Sequence, residues 1–318
     1  MNHTQGSKVS IIGAGAVGAT TAYALLMRGS ARTVALMDIN QAKVDAEVLD
    51  LAHGSQFTSA ASVIGGTDAA VCADSDIIVF TAGAKQKPGQ TRLQLAETTV
   101  RLAQKVLPDL VDVAPNAIHV LVTNPVDIVT YAALKATGLP PNQVFGSGTV
   151  LDSSRLRYLV AQHTGVAVQN VHAYIAGEHG DSQIPLWSSA TIGAIPLMNW
   201  TPLPGFPEFD QTVRDEIAHE VVHSAYQIIE GKGATNYAIG LATARIVEAV
   251  LGDERRILPV STLATGFHGI GEVCLSLPSV VDRRGCDVRL DTPLSDQEEA
   301  GLLSSATTLR GMIEQFGL

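Results

Sequence analysis

The chain has 318 residues, 46% of them hydrophobic and 16% charged, with a formal net charge of −10. This is the composition of a globular protein with a substantial core, built as one large or two ordinary domains. The acidic balance argues against non-specific nucleic-acid or anionic-membrane binding, which needs clustered Lys and Arg. The three cysteines, Cys72, Cys274 and Cys286, lie far apart without metal-type spacing. They read as buried, inert thiols of a reducing compartment, and no metal site is expected from them.

Residues 9–27 carry no charge and are flanked by Lys8 and Arg28, a pattern that could mark a signal sequence or a membrane span. Gly13, Gly15, Gly18, Thr20 and Thr21 interrupt the run where a span would be rich in leucine. The stretch reads instead as a strand, a glycine turn and a helix. A second uncharged stretch, 182–207, holds five prolines and cannot be a spanning helix. A soluble, cytoplasmic chain is expected.

Strands are predicted at 9–12, 34–37, 62–64, 77–80, 118–122 and 144–145, with helices around 17–29, 40–52, 91–114 and 125–137. In 91–114, Leu95, Leu102, Val106, Leu110 and Val113 recur at helical spacing and predict one buried face. Strands that are apolar throughout and separated by helices imply a parallel sheet covered on both faces. After about residue 147 the pattern changes to long helices near 150–164, 210–230 and 235–251. Strands near 256–263 and 272–277 follow, then a helix at 295–316 with Ser295 as its cap and Glu298 three residues on. No linker separates the halves. The expected fold class is α/β, a doubly wound parallel sheet (1–146) followed by an α+β substrate or catalytic domain (147–318).

"VSIIGAGAVGAT" places G-x-G-x-x-G at Gly13, Gly15 and Gly18, after a strand and at the mouth of a helix. Glycines there permit the tight turn and let the backbone approach a pyrophosphate, which then faces the unpaired N–H groups of the helix. Asp38 follows Gly18 by twenty residues, at the end of the next strand. A carboxylate there accepts hydrogen bonds from a ribose 2′-OH and repels a 2′-phosphate, so a Rossmann-type site for NAD rather than NADP is expected.

Four further segments carry polar groups where elements end: "TAGAKQKPGQTRL" (81–93), "VTNPVD" (122–127), "GSGTVLDSSRLR" (146–157) and "GEHGDS" (177–182). The first contains Pro88 and Gly89 and reads as a mobile loop that reaches Arg92 where the next helix begins. Asp152 and Arg155 fall three apart on a helix, on nearly one face. His179 follows an apolar run that is predicted as a strand opened by His172 and ending at the glycines. Taken singly, each of these groups reads as a solvated charge, a cap or a salt bridge. Together they offer an acid/base, its carboxylate partner and two guanidinium groups beside a nucleotide site.

With these motifs and "GATNYAIG" (233–240), the chain resembles the lactate/malate dehydrogenase superfamily along nearly its whole length, and within it most closely the bacterial L-lactate dehydrogenases. The resemblance implies that His179 is the proton donor and acceptor, paired with Asp152. Arg155 would hold the substrate carboxylate and Arg92 would close on the reacting carbonyl. Asn124 would contact the substrate oxygen and Ser147 would lie near the nicotinamide. It further implies that Ala16, Val17, Thr81, Ala82, Gly83 and Asn124 join the three glycines and Asp38 around NAD. The chemistry agrees with these roles. A histidine exchanges protons near neutral pH, a carboxylate on its second nitrogen favours imidazolium, and a guanidinium matches a carboxylate in two hydrogen bonds.

A malate enzyme of this kind would carry arginine on the 81–93 loop for a second carboxylate. Here that position is the neutral Gln86, while Thr235 is typical of lactate enzymes and Ile239 offers an apolar wall. Pyruvate and L-lactate are therefore the expected substrates. Arg157 and His172 resemble the positions at which many bacterial relatives hold fructose 1,6-bisphosphate between subunits of a tetramer, so an allosteric homotetramer is expected. A rival reading comes from "HEVVH" (219–223), which matches a zinc-binding H-E-x-x-H on the helix predicted at 210–230. No third histidine follows at the required spacing. Val213, Ile217, Val221 and Ile228 are expected to form the buried stripe of that helix, with the histidines on its flank. A further rival, an NAD-binding sensor without catalysis, predicts cofactor binding but no keto-acid-dependent oxidation of NADH.

Overall fold

The structure, a computed structural model, describes residues 6–83 and 92–318, Arg92 by its backbone alone. Strand and helix alternate through the first half: β1 (Lys8–Ile12), α1 (Ala16–Arg28), β2 (Thr33–Met37), α2 (Gln41–His53), β3 (Ser62–Gly66), β4 (Ile77–Phe80), α3 (Arg92–Val113), β5 (Ile118–Leu121), α4 (Val126–Thr137) and β6 (Val144–Gly146). The second half opens with α5 (Val150–Thr164) and five two-residue strands: β7 (Val171–His172), β8 (Ile175–Ala176), β9 (Ile184–Pro185), β10 (Thr191–Ile192) and β11 (Ile195–Pro196). It continues with α6 (Gln211–Lys232), α7 (Tyr237–Leu251), β12 (Arg256–Leu263), β13 (Cys274–Asp282), β14 (Gly285–Arg289) and α8 (Asp296–Gln315).

The fold is α/β. One sheet runs in the order β14-β13-β12-β6-β5-β4-β1-β2-β3, and its strands β1 to β6 pair in parallel. The chain builds outward from β1 to β3, then returns to build β4 to β6 on the other side of β1. The order therefore reverses between β1 and β4, which opens a crevice beyond the carboxyl ends of those two strands. The antiparallel strands β12 to β14 continue the same sheet, joined to β6 at Ser261 opposite Gly146.

Side-chain alternation puts cores on both faces. Along β4, Ile77 and Val79 pack with Leu25, Leu36 and Ile246 under α1 and α7, while Ile78 and Phe80 pack with Leu107, Leu121 and Ile128 under α3 and α4. A third cluster, with Leu156, Ile175, Ile192, Ile217 and Val221, joins α5 and α6 to the short strands. Cys72, Cys274 and Cys286 are free and buried. Among the described residues no helix is long and apolar enough to cross a membrane. At α8 the expected start is present as a full capping box, with Ser295 and Glu298 satisfying each other's backbone N–H groups.

Several expectations need correction. The buried face of α3 is Thr99, Val100, Ala103, Leu107 and Leu110, with Leu95, Leu102, Val106 and Val113 half-buried beside it. Thr99 and Ala103 are small, and a pattern read from large apolar side chains passes over them. On α6, Ile217 and Val221 are buried, Val213 is half-buried and Ile228 is exposed, because the C-terminal half of the helix leaves the core.

The strand expected from His172 to the glycines is broken in two: β7 pairs with β10 and β8 pairs with β9. Side chains of the neighbouring segment 149–157 take the backbone groups a longer ladder would use. Ser153 Oγ accepts from Ile175 N (2.8 Å), Thr149 Oγ1 donates to Ile175 O (2.6 Å), and Arg157 Nε donates to Ala173 O (2.9 Å). Lastly, β13 continues past 277 to pair with the unforeseen β14. Pro278 ends nothing there, because it lies opposite Pro259 on β12 and the pairing resumes beyond both.

Candidate active site

Five polar segments meet at the carboxyl ends of parallel strands. The glycine turn follows β1, Asp38 follows β2, Thr81–Gly83 follow β4, Asn124 follows β5 and Ser147 follows β6. Gly13 has φ +99°, and a Cβ there would sit 2.9 Å from the Ala82 backbone. A Cβ on Gly18 would lie well inside contact distance of Gly13 O, so the first turn of α1 packs directly on the strand end. Thr81 Oγ1 donates to the carbonyls of Ile12 (2.9 Å) and Gly13 (3.0 Å), which stitches β4 to the same turn.

Gly15 caps α1 without a side-chain hydrogen bond, and a Cβ there would meet no protein atom within 4 Å. The helix therefore presents uncapped N–H groups, led by Ala16 and Val17, to open space. Asp38 accepts from Ala14 N (2.8 Å) and Asn40 N (3.1 Å), so its carboxylate is fixed beside the turn. A pyrophosphate fits the open cradle and a ribose fits the acid. The residues present match a dinucleotide without a 2′-phosphate.

The chemical end is a cavity of about 460 Å³ lined in part by Asn124, Asp152, Arg155, His179, Asp181 and Tyr226. Its apolar wall includes Leu93, Ala96, Val222, Ile229 and Met312, which is where the exposed half of α6 is used. Asp152 is only 2% exposed and lies between two cationic partners. One of its oxygens is 2.6 Å from His179 Nδ1, and the other accepts from Arg155 at 2.7 Å. Burial alone would push His179 down. The Asp152 carboxylate outweighs it and lifts the imidazole to about 9, while His179 and Arg155 hold Asp152 below the usual carboxylate range against the same burial.

The structure thus brings together Asn124, Asp152, Arg155 and His179. Thr235 lies half-buried between α6 and α7, outside the residues lining the cavity, and Ile239 packs against the core beneath α7. Gln86 and the Arg92 side chain lie outside the described residues. The histidines of "HEVVH" stack with centroids 3.8 Å apart, and His223 Nδ1 is bonded to the His219 carbonyl. Among the described residues no group of three potential ligands could hold a metal ion.

Asp127 was passed over in the sequence, although it stands within "VTNPVD". Its Oδ2 accepts from the backbone N–H of His179 (2.7 Å) and its Oδ1 from Ser261 Oγ (2.6 Å). It is fully buried, and burial pushes its carboxyl up to about 6 despite those two donors. The available signal was a single acid in the first turn of an otherwise apolar helix, "VDIVTYAAL".

Residues 7–146 match the lactate/malate dehydrogenase NAD-binding domain, and residues 149–317 match the lactate/malate dehydrogenase alpha/beta C-terminal domain. The chain belongs to the lactate/malate dehydrogenase family. It is 55% identical to an L-lactate dehydrogenase of Bifidobacterium animalis subsp. lactis over 98% of its own length and 97% of the relative's. Against an L-lactate dehydrogenase of Thermoanaerobacter pseudethanolicus the identity is 47%, over 98% and 100%. Two solved structures superpose closely. A lactate dehydrogenase from a Medee basin deep-sea metagenome library gives TM-score 0.94 at 37% identity over 98% of this chain and 99% of the other. The minor L-lactate dehydrogenase of Enterococcus mundtii gives 0.93 at 37% identity, over 97% and 98%. As a lactate/malate dehydrogenase family member, the chain is an NAD-dependent 2-hydroxyacid oxidoreductase.

Two predictions come from this geometry. Asp38→Ser removes the carboxylate that repels a 2′-phosphate, so the ratio of NADH to NADPH affinity should fall at least tenfold, read by nucleotide fluorescence titration. Asp152→Asn removes the charge that sustains imidazolium. The His179 ring should then titrate well below 9, since burial and the Arg155 guanidinium are opposed only by the more distant charge of Asp127, as read by NMR.

Proposed function

We propose that the chain interconverts pyruvate and L-lactate as an L-lactate dehydrogenase, with residues 1–146 binding NAD and 147–318 supplying the substrate site. The observation that carries the reading is the line Arg155–Asp152–His179 on the cavity wall. Among the described lining residues Arg155 is the single Lys or Arg, which supports a substrate with one carboxylate. The similarity to L-lactate dehydrogenases and the neutral Gln86 support the same choice.

NADH supplies the hydride for C2. Arg155 receives the keto-acid carboxylate, and Asn124 donates its amide hydrogen to the carbonyl oxygen. As charge grows on that oxygen, His179 gives up its Nε2 proton while Nδ1–H remains on Asp152, which keeps tautomer and ring orientation constant. In lactate oxidation the same nitrogen takes the hydroxyl proton. Arg92 is assigned to the carbonyl, acting mainly in the transition state, and the resemblance assigns to Gln86 the choice between a methyl and a second carboxylate.

We also infer activation by fructose 1,6-bisphosphate in a cytoplasmic homotetramer. Arg157 bonds to Ala173 O and stacks over Tyr174 (4.8 Å), and His172, which precedes Ala173 in the chain, is exposed; we assign both basic groups to one effector site. Duplicated across a two-fold axis, they would present four potentially cationic groups to a bisphosphate.

Steady-state oxidation of NADH with pyruvate, oxaloacetate and 2-oxobutyrate side by side tests the substrate. Pyruvate should have the highest kcat/KM, and Gln86→Arg should move the ratio toward oxaloacetate by roughly tenfold or more. A preference for oxaloacetate in the unmodified enzyme overturns the lactate reading. For regulation, the bisphosphate should lower the half-saturating pyruvate concentration in the unmodified protein and have no effect in Arg157→Gln. Identical curves with and without it in the unmodified protein would remove the allosteric role and leave the catalytic one standing.

A further inference from the structure

The loop between β8 and β9 carries His179, and two successive amides of that loop are held from opposite sides. The N–H of His179 donates to Asp127 on α4 at 2.7 Å, and the N–H of Glu178 donates to Ser305 Oγ on α8, also at 2.7 Å. Ser305 is fully buried. Its hydroxyl is also 3.0 Å from Ser182 Oγ, which donates in turn to the Glu178 carboxylate at 2.5 Å, closing the loop on itself. The backbone passes close to that hydroxyl: Gly177 has φ +88°, and a Cβ there would lie 2.8 Å from Ser305 Oγ.

Ser305 belongs to a stripe on α8. Glu298, Ser305 and Met312 are seven residues apart and share one helix face. Glu298 accepts from Ser188 N at 2.9 Å and binds the Ser188 hydroxyl, while Met312 lines the substrate cavity. Between them, Gly301 lets Ile184 approach, since a Cβ there would be 3.2 Å from its Cδ1. The segment from 177 to 188 therefore touches α8 at Gly177, Glu178, Ser182, Ile184 and Ser188, and its bond nearest the reacting histidine is the one from Glu178 to Ser305.

We propose that Ser305 is a positioning residue for proton transfer: by accepting the Glu178 amide, it fixes the backbone from which His179 reaches Asp152. The inference rests on His179 as the proton donor. Removing the acceptor leaves the Glu178 N–H without its partner and frees one side of the loop, so that the imidazole samples orientations in which Nδ1 is off Asp152. The charged groups that face His179, namely Asp152 and Arg155 on α5, Asp127 on α4 and Glu178 in the loop, all remain. What changes is the fraction of time the ring spends against Asp152.

The test is Ser305→Ala, with Ser305→Cys as a variant that keeps the volume but offers a poor acceptor and Thr308→Ala on the exposed side of α8 as a control. In Ser305→Ala and Ser305→Cys, kcat for pyruvate reduction should fall roughly tenfold or more while NADH affinity stays the same. The alkaline limb of kcat/KM should move to lower pH, because a ring held less firmly against the carboxylate releases its proton sooner. Thr308→Ala should match the unmodified enzyme. If Ser305→Ala does not fold, Ser305→Cys decides alone. Unchanged kcat and an unmoved alkaline limb, with or without a lower Tm, would make Ser305 a packing residue and overturn the proposal. Turnover by His179→Asn would instead defeat the catalytic reading beneath it, so the two failures are distinguishable.

Discussion

A carboxylate with almost no exposure to water sits at the centre of this protein, and its charge survives only because two cations face it. Isolated at that depth Asp152 would take up a proton. With His179 on one oxygen and Arg155 on the other it stays ionised, and withdrawing either partner leaves one of its buried oxygens without a charged donor. Arg155 is local, three residues away on the same helix. His179 comes from a separate loop, so tertiary structure has to deliver it. Much of the second half of the chain can be understood as the means of that delivery: α5 interrupts the strand before the loop, α4 and α8 grip consecutive amides, and Gly177 admits the close approach.

Asp127 shows the same physics with the opposite outcome. It is as deeply buried as Asp152, yet its donors are a hydroxyl and a backbone amide, both neutral. Neutral donors offset only part of the lost hydration, and its carboxyl rises to about 6 where that of Asp152 falls. Two aspartates bonded to one histidine, Asp152 at a ring nitrogen and Asp127 at the backbone N–H, are thus divided in role by their partners. One holds the ring and sets its charge, and the other holds the backbone beneath it.

Most of the fold was legible because the elements of the first half are consistent at several levels at once. Apolar β-branched runs, glycine turns and helical periodicity agree, and the observed parallel strands fall within two residues of their expected bounds. The nucleotide cradle was equally legible, since glycines that a Cβ would obstruct are written directly in the sequence. What escaped was decided by contacts between distant segments. The run after His172 has every local property of a strand, and only the side chains of 149–157 show why it is not one. On α3 the buried Thr99 and Ala103 carry little hydrophobic signal. Asp127 and Ser305 act through bonds to the backbone of another element, 52 and 127 residues away, which no local spacing encodes.

The balance of charge at the site follows from the same pair. With His179 protonated, the imidazolium and the Arg155 guanidinium against the Asp152 carboxylate sum to one net positive charge, inside a chain whose formal net charge is −10. In the proposed mechanism an anionic keto acid meets the Arg155 guanidinium and the imidazolium directly on the cavity wall. In that mechanism, once the proton has moved to the product oxygen the three groups sum to zero and hold the hydroxy-acid anion less strongly. Proton transfer and product release are coupled through one charge. That coupling needs the imidazole to be protonated before substrate arrives, which is the state the buried Asp152 enforces.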